Sequence, residues 1–307
     1  MKQIQKSSED KNLRLHALLL FLIVLTLRQL TDRLGVLLAG NLSGAGQALV
    51  IIGSQILWLI APIFLFLAVK RFRTMRLAHT GWRTWLFSLL LAVCVTFALT
   101  YLEFGLRGIV LAAVGRVAIR QPVGAVGFGT ALLLVLGGCL IPATGMELIS
   151  KSCLYEGGRR SRGFACAAAL ILPLLLYQDP AYMALLLCFG LCTLFLYARC
   201  RNVALTGSFL AVCLLPNSVA GGRTWLPFDY RSSLSVEGTL LNALTALGIA
   251  LILAAACIVL FGLIARETKG RKPFTGRAGI GLRFEEGLTI VLIVTVYAAG
   301  IVWNLLI

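Results

Sequence analysis

Nine apolar runs dominate this chain, at 15–40, 49–69, 84–103, 125–147, 163–178, 181–198, 202–220, 238–264 and 287–307. Each lies near the ~20 residues that carry a helix across a bilayer. They predict an all-α fold, a polytopic transmembrane helix bundle of about nine spans. Composition agrees, with 59% hydrophobic and 13% charged residues among 307. Soluble domains run at about 45–50% and about 25%. No polar block is long enough to fold by itself, so the chain reads as one membrane domain. Spans five and six meet at Asp179-Pro180, a tight turn that would make them a helical hairpin. Span one has a clean apolar core only over 15–27, followed by Arg28, Asp32 and Arg33.

The net charge of +16 is distributed in a pattern. One set of alternate loops holds Lys2 to Arg14, Lys70 to Arg83, Lys151 to Arg162, Arg199 and Arg201, and Arg266 to Arg283, which is 21 of the 28 basic residues. The other side holds five: Arg107, Arg116, Arg120, Arg223 and Arg231. The positive-inside rule then predicts a cytoplasmic N-terminus and an outside C-terminus. Bases spread over alternate loops serve topology and attraction to membrane lipid headgroups. Nucleic-acid binding would need a basic face on one folded surface, so that class is excluded.

Other chemistries are excluded by what the chain does not arrange. His16 and His79 share no helix face with a second ligand type, and zinc needs three or four converging ligands. No metal site and no cofactor is expected; phosphate-loop, dinucleotide and GxSxG patterns do not occur. The nine cysteines lie in spans or at their cytoplasmic ends and form no CxxC pair. They read as buried free thiols rather than a disulfide framework. Small residues suited to signal cleavage do not follow the first apolar core, so an uncleaved first span is expected.

Three polar intervals separate the runs. Residues 104–124 carry Arg107, Arg116 and Arg120 at near-helical spacing among apolar residues, which predicts an amphipathic helix in the interface. Residues 217–237 hold Trp225, Pro227, Phe228 and Tyr230, an interfacial aromatic belt. Residues 265–286 are basic and glycine-rich, an irregular cytoplasmic loop before an appended last helix.

Acids near the spans are few: Asp32, Glu103, Glu147 and Asp179. Asp32 is four residues after Arg28, which predicts a same-helix ion pair. Glu147 has the densest polar company, with Ser150, Lys151, Ser152 and Tyr155, where the fourth run ends at the membrane edge. At the interface, a Glu147–Lys151 pair would be worth a few tenths of a kcal/mol. Inside the hydrocarbon, an ionisable group costs roughly 2.5–3.5 kcal/mol or more and marks a functional site.

The stretch Met146-Glu-Leu-Ile-Ser-Lys-Ser-Cys-Leu-Tyr155 resembles the first motif of the CAAX-protease and bacteriocin-processing family of intramembrane proteases. That motif is two glutamates, three residues, an arginine, then a glycine and an apolar-apolar-Tyr. Met146 stands in the first glutamate's place, Glu147 in the second's, Lys151 in the arginine's and Ser152 in the glycine's. The basic turn Glu156-Gly-Gly-Arg-Arg160 follows. Pro173-Leu-Leu-Leu-Tyr177 is similar to the family's Phe, three residues, His, with Tyr177 for the histidine. In Cys213-Leu-Leu-Pro-Asn217, the asparagine of the third motif is kept and Cys213 replaces its histidine.

The resemblance covers about 125–220 and implies a four-helix protease-like core there. It leaves 1–124 as N-terminal spans with the interfacial segment, and 221–307 as C-terminal spans with the basic loop. It also implies a cleft lined by Met146, Lys151, Tyr177 and Cys213, a location in a bacterial plasma membrane, and Glu147 with Asn217 as the candidate catalytic residues. The replacements change the chemistry. Met146 cannot accept a proton, and tyrosine, with a pKa near 10, is a poor general base. An oxyanion donor such as Asn217 without a base gives little turnover. Three readings follow. The first is a catalytically inactive protease-like protein binding a membrane protein or peptide in the former cleft. The second is a divergent glutamyl endopeptidase using Glu147 and Asn217. The third is a transporter with helix breaks at Pro142-Ala-Thr-Gly145 and Pro216-Asn217.

Overall fold

In the computed structural model, residues 2–39, 42, 44–70, 78–114, 128–158, 161–176, 180–220, 236–269 and 284–306 are described. They form helices α1 (Lys2–Ala39), α2 (Gly44–Gln55), α3 (Ala61–Lys70), α4 (Trp82–Val114), α5 (Phe128–Val135), α6 (Ile141–Glu147), α7 (Arg162–Ile171), α8 (Pro180–Cys200), α9 (Val203–Ala220), α10 (Val236–Glu267) and α11 (Phe284–Leu306). Six stretches are long and apolar enough to cross a membrane: Leu13–Leu34, Ala45–Phe66, Trp82–Ala113, Phe128–Tyr155, Met183–Cys200 and Leu240–Glu267. Gly163–Leu176 and Val203–Leu215 are shorter apolar helices, and α11 covers the ninth apolar run. The all-α membrane class read from the apolar runs is the class observed. The outward faces fit lipid: Leu251, Ile252 and Ile258 of α10 are all exposed.

Two widened turns have a common cause. Proline has no N–H and its ring crowds the carbonyl four residues back. Pro62 and Pro142 each sit two residues beyond a π-helical turn, Ile56–Ile60 and Leu136–Leu140. The backbone compensates with five-residue spacing, from Ala61 N–H to Ile56 O and from Ile141 N–H to Leu136 O. The chain therefore stays helical at 142–145, where the sequence suggested a break, and α9 runs unbroken past Pro216.

Several boundaries differ from the sequence expectation. Residues 104–114 are not a separate interfacial helix but the last turns of α4, since nothing between 82 and 114 breaks it. Phe104 is buried, and α4 lies along α10. Gly105 permits this: a Cβ there would fall 2.6 Å from Leu247 Cγ and 3.0 Å from Ala243 O. The remainder of that segment, 115–124, lies outside the described residues, as do 221–235 with Trp225 and Pro227, and 270–283 of the basic loop. Helix α1 continues through Arg28, Asp32 and Arg33 without a break. Arg28 lies over the Trp58 ring at 5.1 Å and pairs with Asp32 at 3.1 Å, as the spacing predicted.

The last helix is no appendage. α11 packs along α1, with Ile293 in the core and Glu286 buried. Arg14 of α1 grips the Glu286 carboxylate with two nitrogens and stacks over Phe164 of α7 at 4.4 Å.

The interior divides into two apolar clusters. One joins α1, Trp58–Ile63, Leu148–Tyr155 and α7. The other joins α4, Cys139–Met146, α8, α9 and part of α10. The continuous helical stretch 128–155 supplies residues to both and is the most buried of the six long stretches. Gly145 lets it touch the π turn at 56–60, because a Cβ there would meet Leu59 at 2.4 Å.

Candidate functional site

A third π-helical stretch, Leu148–Tyr155, differs from the other two. No proline follows it, and all eight residues are buried. Unexplained π turns inside α-helices recur at functional sites, and this one carries the polar residues singled out by the sequence.

Glu147 and Lys151 form an ion pair, Oε1 to Nζ at 3.7 Å, with side chains 4% and 1% exposed. The pair is therefore enclosed by protein and not a solvated surface pair. The helix does not stop at 147 but continues to 157, and α1, α7 and α9 all pack against its last turns. Removing two charges from water costs several kcal/mol per ion, offset only by good pairing and further hydrogen bonds.

Those further bonds are partly supplied. Lys151 Nζ donates to Ser150 Oγ at 3.0 Å, and Ser150 Oγ donates to Ala169 O at 2.6 Å. Pro173 explains why that carbonyl is available, since it lacks the N–H that would bond to residue 169 in a regular α-helix. After this point α7 tightens into a 3₁₀ turn, Leu172–Leu176. Glu147 Oε2 and Ser152 Oγ, both buried, have no hydrogen-bond partner among the described residues.

The pair lines a small cavity with Met146, Ser150, Ala169, Leu170, Pro173, Leu174, Leu186, Gly190 and Leu210. The space open to the centre of a water-sized sphere is about 20 Å³. Its floor is charged and polar; its walls, from α7, the 3₁₀ turn, α8 and α9, are apolar.

Of the expected site residues, Met146, Glu147 and Lys151 come together at this cavity. Cys213 is buried on α9, but its thiol points to Ala92 O of α4 at 3.8 Å, and it does not line the cavity. The backbone of Asn217 is within α9, its side chain lies outside the described residues, and Tyr177 lies outside them altogether. Among the described residues no three metal-ligating side chains converge. All nine cysteines are free thiols.

A neighbouring polar node escaped the sequence reading. Glu156, one residue past the π stretch, is buried and accepts a hydrogen bond from Tyr197 OH at 3.0 Å. The Tyr197 ring meets Tyr155 edge-on at 5.4 Å. A carboxylate directly after an apolar-apolar-Tyr end was the available signal. Pro173, four residues after Ala169, was the signal for the carbonyl that Ser150 reaches.

Apolar helices with outward-facing leucines and isoleucines, packed around buried charged groups, define a polytopic helical membrane protein. No protein-family model, curated protein or solved structure matches this chain.

Proposed function

We propose that this is a protease-like integral membrane protein without peptidase activity, which binds a membrane protein or peptide in the cleft where a related enzyme would cut. The reading rests on the resemblance of 125–220 to the CAAX-protease and bacteriocin-processing family. The observation that carries it is the cavity at Met146, Glu147 and Lys151. Met146 occupies the place of a proton acceptor with a thioether that cannot serve as one. Glu147 is turned onto Lys151 through one oxygen, so the remaining acid is engaged by a cation. Cys213, standing for a histidine, is directed at a backbone carbonyl of α4. General acid–base catalysis needs a proton acceptor within reach of the reacting group; Met146 cannot be one, Cys213 faces away from the cavity, and the Glu147 carboxylate is held in its charged form by Lys151.

In the same proposal the chain crosses a bacterial plasma membrane about nine times. Its N-terminus is cytoplasmic and its C-terminus outside, as the alternate basic loops favour. Reporter fusions at the two ends test the orientation.

Incubating the purified protein with prenylated and transmembrane peptides tests the function. No cleavage is expected. Robust turnover abolished by Glu147→Gln would overturn the reading in favour of a divergent glutamyl endopeptidase.

A further inference from the structure

We propose that the floor of this cavity binds one small uncharged group that both donates and accepts hydrogen bonds, either a water molecule or the carboxamide end of an Asn or Gln side chain. The inference rests on the reading of the cleft as a binding site and specifies what its floor accepts.

Three observations carry it. Glu147 Oε2 is a buried acceptor without a partner among the described residues, on a side chain that lines the cavity. Lys151 has three donors, of which Ser150 Oγ engages one, while Glu147 Oε1 at 3.7 Å is paired by charge at more than hydrogen-bond distance, so donors remain for the cavity. The space, about 20 Å³, exceeds the roughly 10–15 Å³ that one water needs by this measure. A polar, roomy cavity with at least two partners holds water, whereas an apolar one stays dry.

The same facts limit the occupant's class. Glu147 and Lys151 balance each other, so an additional ion would be buried without a counter-charge, at high cost. Phosphate and carboxylate groups are thereby excluded. The apolar walls add no further partners. A water offers an O–H beside a lone pair, and an Asn or Gln carboxamide offers its syn N–H beside its C=O, whereas the N–H and C=O of a trans peptide point to opposite edges. Leu170, Leu174 and Gly190 line the cavity and are themselves partly exposed. The wall between α7 and α8 is therefore thin, and a carboxamide from outside would approach there.

Gly190 provides the test, because it lines the cavity without touching the ion pair. A Cβ there meets only Leu170 Cδ1, at 3.0 Å, the end of a flexible side chain. The full chain in lipid nanodiscs is compared with Gly190→Ala and Gly190→Val by thermal unfolding and by infrared spectroscopy in ordinary and ¹⁸O-labelled water. The wild type is expected to show an isotope-sensitive band of a bound water. Gly190→Val should lose that band and unfold several degrees lower, despite its added apolar contact. In a Glu147→Leu/Lys151→Met background the same change should leave Tm unchanged or raise it.

A wild-type chain without the band, or one stabilised by Gly190→Val, would mean a dry packing gap. An equal loss of Tm in both backgrounds would mean a simple clash. Any of these overturns the proposal. Acetamide, added as a model side-chain carboxamide, separates the two sources: loss of the band assigns the place to a carboxamide, and persistence assigns it to water. Peptide cleavage would overturn the binding reading and leave these spectra unaffected.

Discussion

Two ion pairs in this bundle share one sequence spacing and differ in almost everything else. Arg28 and Asp32 on α1 sit 3.1 Å apart with side chains 19% and 55% exposed. Glu147 and Lys151 sit 3.7 Å apart with side chains 4% and 1% exposed. The first pair is closer, its Asp32 remains exposed, and its Arg28 lies against the Trp58 face. The second has given up its hydration and recovers only part of it through Ser150. An i, i+4 spacing therefore states that two charges can meet. What their meeting is worth depends on which helices cover them.

The largest break in that comparison is Lys151→Met. It leaves Glu147 buried without its cation and should cost about 3–5 kcal/mol, read by equilibrium unfolding in mixed micelles. Ser150→Ala comes next. It removes the bond to the Ala169 carbonyl exposed by Pro173 and one acceptor for Lys151. A loss of about 1–3 kcal/mol is expected, in the same measurement. The double change Glu147→Leu/Lys151→Met should recover most of the Lys151→Met loss, because a well-packed apolar pair often equals or exceeds a buried ionic one. A double variant as unstable as the single would show that these side chains hold the fold by shape. Smallest is Asp32→Ala, at about 0.3–0.5 kcal/mol, close to the error of the assay. A cost several times larger would remove the contrast between the two sites.

The membrane class, the all-α fold and six helices long and apolar enough to cross a membrane were legible because hydropathy is local. Both ion pairs were legible for the same reason. The burial of Glu147 and Lys151 was not. Hydropathy falls at Ser150, Lys151 and Ser152, so the run appears to end at 147 although the helix continues to 157. Only the packing of α1, α7 and α9 against it makes those residues interior. Likewise Arg107 reads as interfacial from its spacing, while Gly105 two residues earlier signals the close approach of α10 that keeps the helix whole. Cys213 was assigned to the cleft by its place in a motif. Its direction toward Ala92 depends on how α9 is rotated, which motif order does not encode.

The grip of Arg14 on Glu286 joins residues 272 positions apart, with Phe164 of the central region stacked on the same arginine. During synthesis α1 emerges long before α11 exists. The first helix can enter the membrane early, but its contact with Glu286 forms only after the ninth apolar run has left the ribosome. The contact between α1 and α11 consequently forms only after every helix between them has been made. A ribosome stalled before residue 284 would hold a set of inserted helices that has not yet been tied shut.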